Sequence, residues 1–176
     1  MIIGIGGVSN AGKTTLATRL KEKLHPLRVS VLCQDDFARP SAEIPRINGH
    51  TDWEIPESID LVRYYRHILK QETAYDIVIA EGLFAFCDKH IYSHYNKKIF
   101  LRISKETFWK RKSKDLRWGK EPDWYMEHIW ESHFKCGMLN DVDRNTVILS
   151  GEEAIDLDRL IPFFELEKYI PKTPSR

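Results

Sequence analysis

The chain has 176 residues, 42% of them hydrophobic, with 27 Lys and Arg against 26 Asp and Glu and a formal charge of +1. That length suits one domain with a sizeable core, and the balanced charge excludes a global excess that would hold a nucleic acid or an acidic membrane. Cys33, Cys87 and Cys136 are odd in number and form no C-x-x-C pair, which argues against a disulfide framework or a zinc site. No run approaches the roughly 20 apolar residues of a membrane span, so reduced thiols in a cytoplasmic or nuclear protein are expected.

In chain order, an apolar run over 2–6 reads as the first strand. It is followed by Gly7, Val8, Ser9, Asn10, Ala11, Gly12, Lys13 and Thr14, and then by Leu16, Ala17, Leu20 and Leu24 at helical spacing over 13–24. The stretch between strand and helix matches the phosphate-loop pattern G-x-x-x-x-G-K-[ST] at every fixed position. Glycines let the backbone turn its N–H groups toward phosphate oxygens, and the helix N-terminus adds a favourable dipole. Lys13 is expected to reach the β- and γ-phosphates of ATP and the Thr14 hydroxyl to ligate Mg²⁺, with Thr15 completing the nucleotide-binding set.

The second strand, over 29–34, runs into Gln34-Asp35-Asp36-Phe37. The C-terminal edge of an open α/β sheet faces its ligand, so a carboxylate there can take the proton of an attacking hydroxyl. The pair could also cap a turn, and because adjacent side chains diverge only one is expected to act as base. A helix is expected over 56–71, with Ile59, Leu61, Val62, Tyr65, Ile68 and Leu69 on its apolar face and Pro56-Glu57 as its start. A third strand, over 76–81, ends in Glu81-Gly82, where a phosphate-loop protein needs a carboxylate near magnesium.

A fourth strand over 98–103 precedes helices over 108–116 and 124–134, parted by Gly119 and Pro122. Lys105, Lys110, Arg111, Lys112, Lys114, Arg117 and Lys120 crowd this region, as suits a lid over about 105–122 that clamps phosphates and excludes water. Arg111 and Arg117 are the preferred phosphate contacts because guanidinium binds in a bidentate fashion. A strand over 146–150, a helix over 155–164 containing Pro162 and a frayed tail over 171–176 complete the chain. The alternation predicts an α/β fold, a five-stranded mostly parallel sheet with helices on both faces, in one domain over 1–170.

The phosphate loop with Val8-Ser9-Asn10-Ala11 inside it, Gln34-Asp35-Asp36-Phe37, Asp52-Trp53-Glu54-x-Pro56-Glu57, Ile79-Ala80-Glu81-Gly82 and Lys110-Arg111-Lys112-Ser113 together resemble the nicotinamide riboside kinases. These are a branch of the uridine-kinase-like P-loop nucleoside kinases, and the resemblance extends to about residue 135. It implies a P-loop NTPase fold and phosphorylation of the 5′-hydroxyl of nicotinamide riboside by ATP and Mg²⁺, giving nicotinamide mononucleotide. Uridine, cytidine or another ribonucleoside is the alternative acceptor. By the same resemblance Asp35 would be the base, Glu81 the acid near magnesium with Thr14, and Glu54 the ligand of the ribose hydroxyls with Lys112 assisting. Trp53 would stack on the base, with Trp118 on its other face. The chain departs from the family in carrying Trp53 where Tyr is common, Glu54 where Asp is, Lys112 where Arg is, and a slightly shorter lid.

From a different class, a nucleotide-dependent switch would need no acceptor pocket, and Asn96-Lys97-Lys98 followed by Ile99 lacks the acid of a guanine-recognition motif. His90 and His94 have no acid or third histidine beside them at metal-site spacing, His128 and His133 lack one-face spacing, and Trp124, Tyr125, Ile129, Trp130 and Phe134 read as core or lid-hinge packing. A small-molecule ribonucleoside is the expected partner, with neither nucleic acid nor membrane; the oligomeric state stays open, a monomer sufficing.

Overall fold

The computed structural model describes residues 1–117, 119–139 and 141–166. Its strands are β1 (Ile2–Gly7), β2 (Val29–Cys33), β3 (Arg46–Ile47), β4 (His50–Thr51), β5 (Ile77–Glu81), β6 (Lys97–Arg102) and β7 (Thr146–Ser150). Its helices are α1 (Lys13–Lys23), α2 (Leu61–Ala74), α3 (Lys89–His94), α4 (Lys105–Lys112), α5 (Asp123–Cys136) and α6 (Leu157–Leu160).

Five strands form one sheet in the order β2-β5-β1-β6-β7, and every pairing in it is parallel. Alternate residues of the central strands enter two cores, as the two-residue period of a strand requires. Ile3, Ile5, Ile77, Ile79, Ile99 and Leu101 face Leu16 and Leu20 of α1 and Tyr125 and Ile129 of α5. Ile2, Val78, Ala80 and Phe100 face Tyr64 and Ile68 of α2 and Ile91 of α3. Because both faces are covered, β1 and β5 are buried throughout, while the edge strands β2 and β7 are mostly half-buried.

The strands fall where the apolar runs predict them, within a residue at each end. The helices differ more, and the shifted starts have a capping reason. Instead of one helix over 56–71 there is a 3₁₀ turn, Pro56–Ser58, after which Ile59 is extended and the Asp60 carboxylate caps α2 by accepting from Arg63 N–H at 2.9 Å. Helix α4 begins at Lys105 rather than 108 because Ser104 Oγ accepts from Thr107 N–H, and it ends at Lys112 rather than 116. The expected helix over 155–164 is divided into α6, capped by Asp156, and the 3₁₀ turn Ile161–Phe164.

Helix α3 and strands β3 and β4 were not expected. Helix α3 is capped by Asp88, whose Oδ1 accepts from His90 and Ile91 N–H. Strands β3 and β4 form a hairpin whose two-residue loop, Asn48-Gly49, takes positive φ at both positions (47° and 82°), the pairing that a tight right-twisted hairpin favours. Asn96 has a structural role, its Oδ1 accepting from Ile2 N–H at 2.6 Å. No described helix is long and apolar enough to cross a membrane. The expected tail over 171–176 lies outside the described residues.

Candidate active site

The phosphate loop leaves the C-terminal end of β1 at the centre of the sheet and enters α1. Gly12 takes φ 98° as the N-cap of α1, and no side chain caps that helix. Helices α2, α3, α4 and α6 have a side-chain cap, whereas α1 and α5 have none; uncapped and directly after the loop, α1 keeps first-turn N–H groups available for an anion. Lys13 Nζ donates to Val8 O at 3.1 Å, which folds its ammonium over the loop.

Glu81 ends β5, beside β1, and is only 1% exposed. Its Oε1 accepts the Thr14 hydroxyl at 2.7 Å. A hydroxyl and a carboxylate in contact beside a phosphate loop are hard oxygen donors of the kind Mg²⁺ takes together with phosphate and water, so the chemistry of these two residues fits a magnesium ion.

Asp35 and Asp36 lie on the 3₁₀ turn Gln34–Phe37 that follows β2, and both are exposed. Gln34 anchors that turn: it is fully buried and its Oε1 accepts Phe84 N–H at 2.8 Å. Gly82 is required there because a Cβ would collide with the Gln34 side chain. Asp35 is within electrostatic reach of Cys33, Glu54 and Arg117. That places it among the other candidate residues at the sheet's C-terminal edge.

The β3–β4 hairpin delivers Thr51, Asp52, Trp53 and Glu54 to the same edge. Trp53 is 40% exposed, so it is not the core residue its type would suggest. Asp52 is buried, and its Oδ1 accepts both Glu54 N–H at 3.1 Å and His128 Nε2–H at 2.8 Å. Ser58 ties the segment to α2's approach, its hydroxyl contacting Trp53 O at 3.0 Å and Ile55 O at 2.7 Å.

From the lid, Arg111 Nη1 donates to Asn10 O at 3.1 Å, which sets its guanidinium against the phosphate loop. Lys112 is 7% exposed, 3.9 Å from Glu121 and within electrostatic reach of Glu54. Arg117 is held in a bidentate pair with Asp115 at 2.8 and 2.6 Å, with a side chain 70% exposed. This pairing holds the Asp115 carboxyl well below the usual carboxylate range. Trp118 lies outside the described residues. A hollow of about 280 Å³ opens beside Arg111, lined by Thr107, Lys110, Arg111, Lys114 and Glu152. A Cβ on the neighbouring Gly151 would strike Ala11 O, so the loop after β7 touches the phosphate loop. Sequence reasoning missed this loop; its signal was Ser150-Gly151 at the end of the last strand.

Nicotinamide riboside kinase 1 of Homo sapiens is 31% identical over 171 residues, covering 87% of this chain and 85% of that protein. The chain belongs to the nicotinamide riboside kinase family. It is a nucleoside kinase. A uridine kinase of Deinococcus deserti is 27% identical over 165 residues, covering 75% of this chain and 79% of its own. Among solved structures, deoxyadenosine kinase from M. mycoides superposes with a TM-score of 0.56 at 18% identity, over 96% of this chain and 98% of that one, which supports the P-loop kinase fold. No protein-family model matches the chain.

Two ionisations in the kinase's site follow from burial. The Glu54 carboxyl is pushed up to about 7 by desolvation; nearby Lys112 opposes the rise, and Asp52 and Asp35 add to it. Its Oε2 is buried without a hydrogen-bond partner. The Cys33 thiol, at the end of β2, is pushed up to about 12 by burial and by the Glu81 and Asp35 carboxylates. It therefore stays neutral beside the acids and is a poor nucleophile.

Proposed function

We propose that this kinase transfers the γ-phosphoryl group of ATP to the 5′-hydroxyl of nicotinamide riboside, yielding nicotinamide mononucleotide. The observation that carries the reading is the exposed face of Trp53 beside Glu54, on a hairpin brought to the sheet edge that bears Asp35. A flat, cationic pyridinium ring suits that aromatic face, and the kinship with nicotinamide riboside kinases supports the choice.

In this reading Gly7, Val8, Ser9, Asn10, Ala11, Gly12 and Thr15 wrap the phosphates with backbone N–H groups and the α1 terminus. Lys13 and Arg111 hold the charge of the transferring group, and Arg117 exchanges Asp115 for phosphate as the lid closes. Thr14 and Glu81 would hold Mg²⁺, which when bound offsets charge on the β- and γ-phosphate oxygens. Glu54, aided by Lys112, orients the ribose hydroxyls, and Asp35 accepts the proton of the 5′-hydroxyl. The hollow beside Arg111 has room to receive the nucleotide's base.

A panel of ribonucleosides incubated with Mg-ATP and scored for monophosphate by mass tests the assignment. Nicotinamide mononucleotide is the expected product; exclusive formation of uridine or cytidine monophosphate would transfer the assignment to those substrates, as the uridine kinase relative allows. Acceptor-stimulated ADP release separates either kinase from a switch.

Trp53→Leu keeps an apolar wall and removes the π face. Cation-π attraction is worth about 0.5 to 2 kcal/mol, so kcat/KM on nicotinamide riboside should fall by a factor of a few to about thirty more than on uridine. Equal losses on both would make Trp53 a packing residue or a neutral stacking platform.

The Glu54 carboxyl, raised to about 7, is neutral below that pH and ionised above it. Only the ionised form accepts from both ribose hydroxyls with neither oxygen protonated, so acceptor kcat/KM should rise between about pH 6 and about pH 8, and Glu54→Gln should flatten the rise. A flat wild-type profile would reject ionised Glu54 as the binding form.

A further inference from the structure

The first turns of α5 grip the segment that carries Trp53 and Glu54. The Tyr125 hydroxyl donates to Thr51 O and accepts from Trp53 N–H, both at 3.2 Å. His50 packs its ring on Tyr125 and, edge to face, on Trp124, with centroids 5.7 and 5.1 Å apart. Among these contacts the one between His128 and Asp52 differs in kind, because it is a hydrogen bond to a carboxylate with side chains only 15% and 11% exposed. Shielding from water strengthens such a bond.

Asp52 Oδ1 is a junction: the oxygen that takes His128 Nε2–H also takes the backbone N–H of Glu54. Glu54 Oε2, by contrast, is buried with no hydrogen bond of its own. With no hydrogen bond to that oxygen, and only the electrostatic attraction of Lys112 and Lys13 acting on the carboxylate, its aim depends on where its backbone is held, and that backbone is held by Asp52. Without His128 the buried Asp52 carboxylate would lose its side-chain donor and turn toward water, taking the Glu54 amide with it.

We propose that His128 is a positioning residue for the acceptor nucleoside, acting through Asp52 to fix Glu54. This rests on reading 52–54 as the acceptor-binding segment. A plain structural tie between α5 and the hairpin would affect stability without singling out one substrate, whereas a positioning role is specific to the acceptor.

The test is steady-state kinetics with nicotinamide riboside and ATP varied in turn, for His128→Ala, His128→Gln and Glu54→Gln, alongside thermal melts. His128→Ala should raise the KM for nicotinamide riboside about tenfold, the equivalent of one hydrogen bond to a charged group, while the KM for ATP stays within about twofold. His128→Gln should recover most of the loss, since its amide N–H reaches Asp52 as the imidazole does. An unchanged acceptor KM, parallel rises for acceptor and ATP, or a Gln variant no better than Ala would overturn the proposal whatever the melts show. Should His128→Ala not fold, Asp52→Asn is expected to give the same split, and failure to do so overturns the proposal equally. An unchanged acceptor KM in Glu54→Gln would bring down the pocket assignment and this proposal together. A raised one beside an unaffected His128→Ala would bring down the positioning role alone.

Discussion

Asp35→Asn is expected to slow phosphoryl transfer by about 10² to 10⁴-fold, the usual contribution of a positioned general base, with ATP affinity close to that of the parent. The substitution keeps the shape of an exposed side chain on the 3₁₀ turn after β2 and removes only its ability to take a proton. The turn itself is held from below by the Gln34 bond to Phe84 N–H, so its geometry should survive. Single-turnover rates measured beside ATP titrations separate the two effects. Near-normal turnover would dismiss Asp35 as the base and redirect attention to Asp36 or Glu81.

Lys13→Ala should behave differently. A phosphate-bound ammonium acts in the ground state and in the transition state, so ATP affinity and turnover are expected to fall together, turnover by about 10² to 10³-fold as for loss of one preorganised charge-stabilising donor. The Lys13 ammonium donates to Val8 O, a contact on its own loop that ties it to no other element. The melting temperature should accordingly move little. Unchanged ATP binding in this variant would remove Lys13 from the phosphates.

The pattern around Lys13 can be read without a fold because the phosphate loop is contiguous in sequence: strand, glycines, lysine and helix start lie next to one another, and their spacing alone dictates the local backbone, whereas Asp35 was reached from its place after the second strand and from the family resemblance. The strands were legible for a related reason. A parallel sheet covered on both faces demands continuous apolar runs, and Ile77–Glu81 and Ile2–Gly7 are such runs. Trp53 and Glu54 were reached through family resemblance rather than periodicity, because the hairpin that carries them has strands of only two residues. The Asn48-Gly49 dipeptide was the one local signal for that hairpin.

Helix starts were read less well, since an apolar period marks a helix's buried face but not its first residue. Asp60 and Ser104 decide where α2 and α4 begin, and each is effective only because the preceding chain is held extended by contacts elsewhere, as Asp60 N–H is by Phe37 O.

What the sequence by itself determined was the chemistry available: the phosphate loop, the acid at the end of β5, the pair of acids after β2, and the five strands of the sheet. Only the tertiary structure decided which of those groups meet and in what state. It brings Thr14 to Glu81 across 67 residues and His128 to Asp52 across 76, buries Lys112 while leaving Arg117 on Asp115, and raises the Glu54 carboxyl to about 7. Local spacing sets backbone geometry. Contact between distant residues and the loss of water around a charge depend on what the rest of the chain packs against them, and no stretch of sequence contains that information alone.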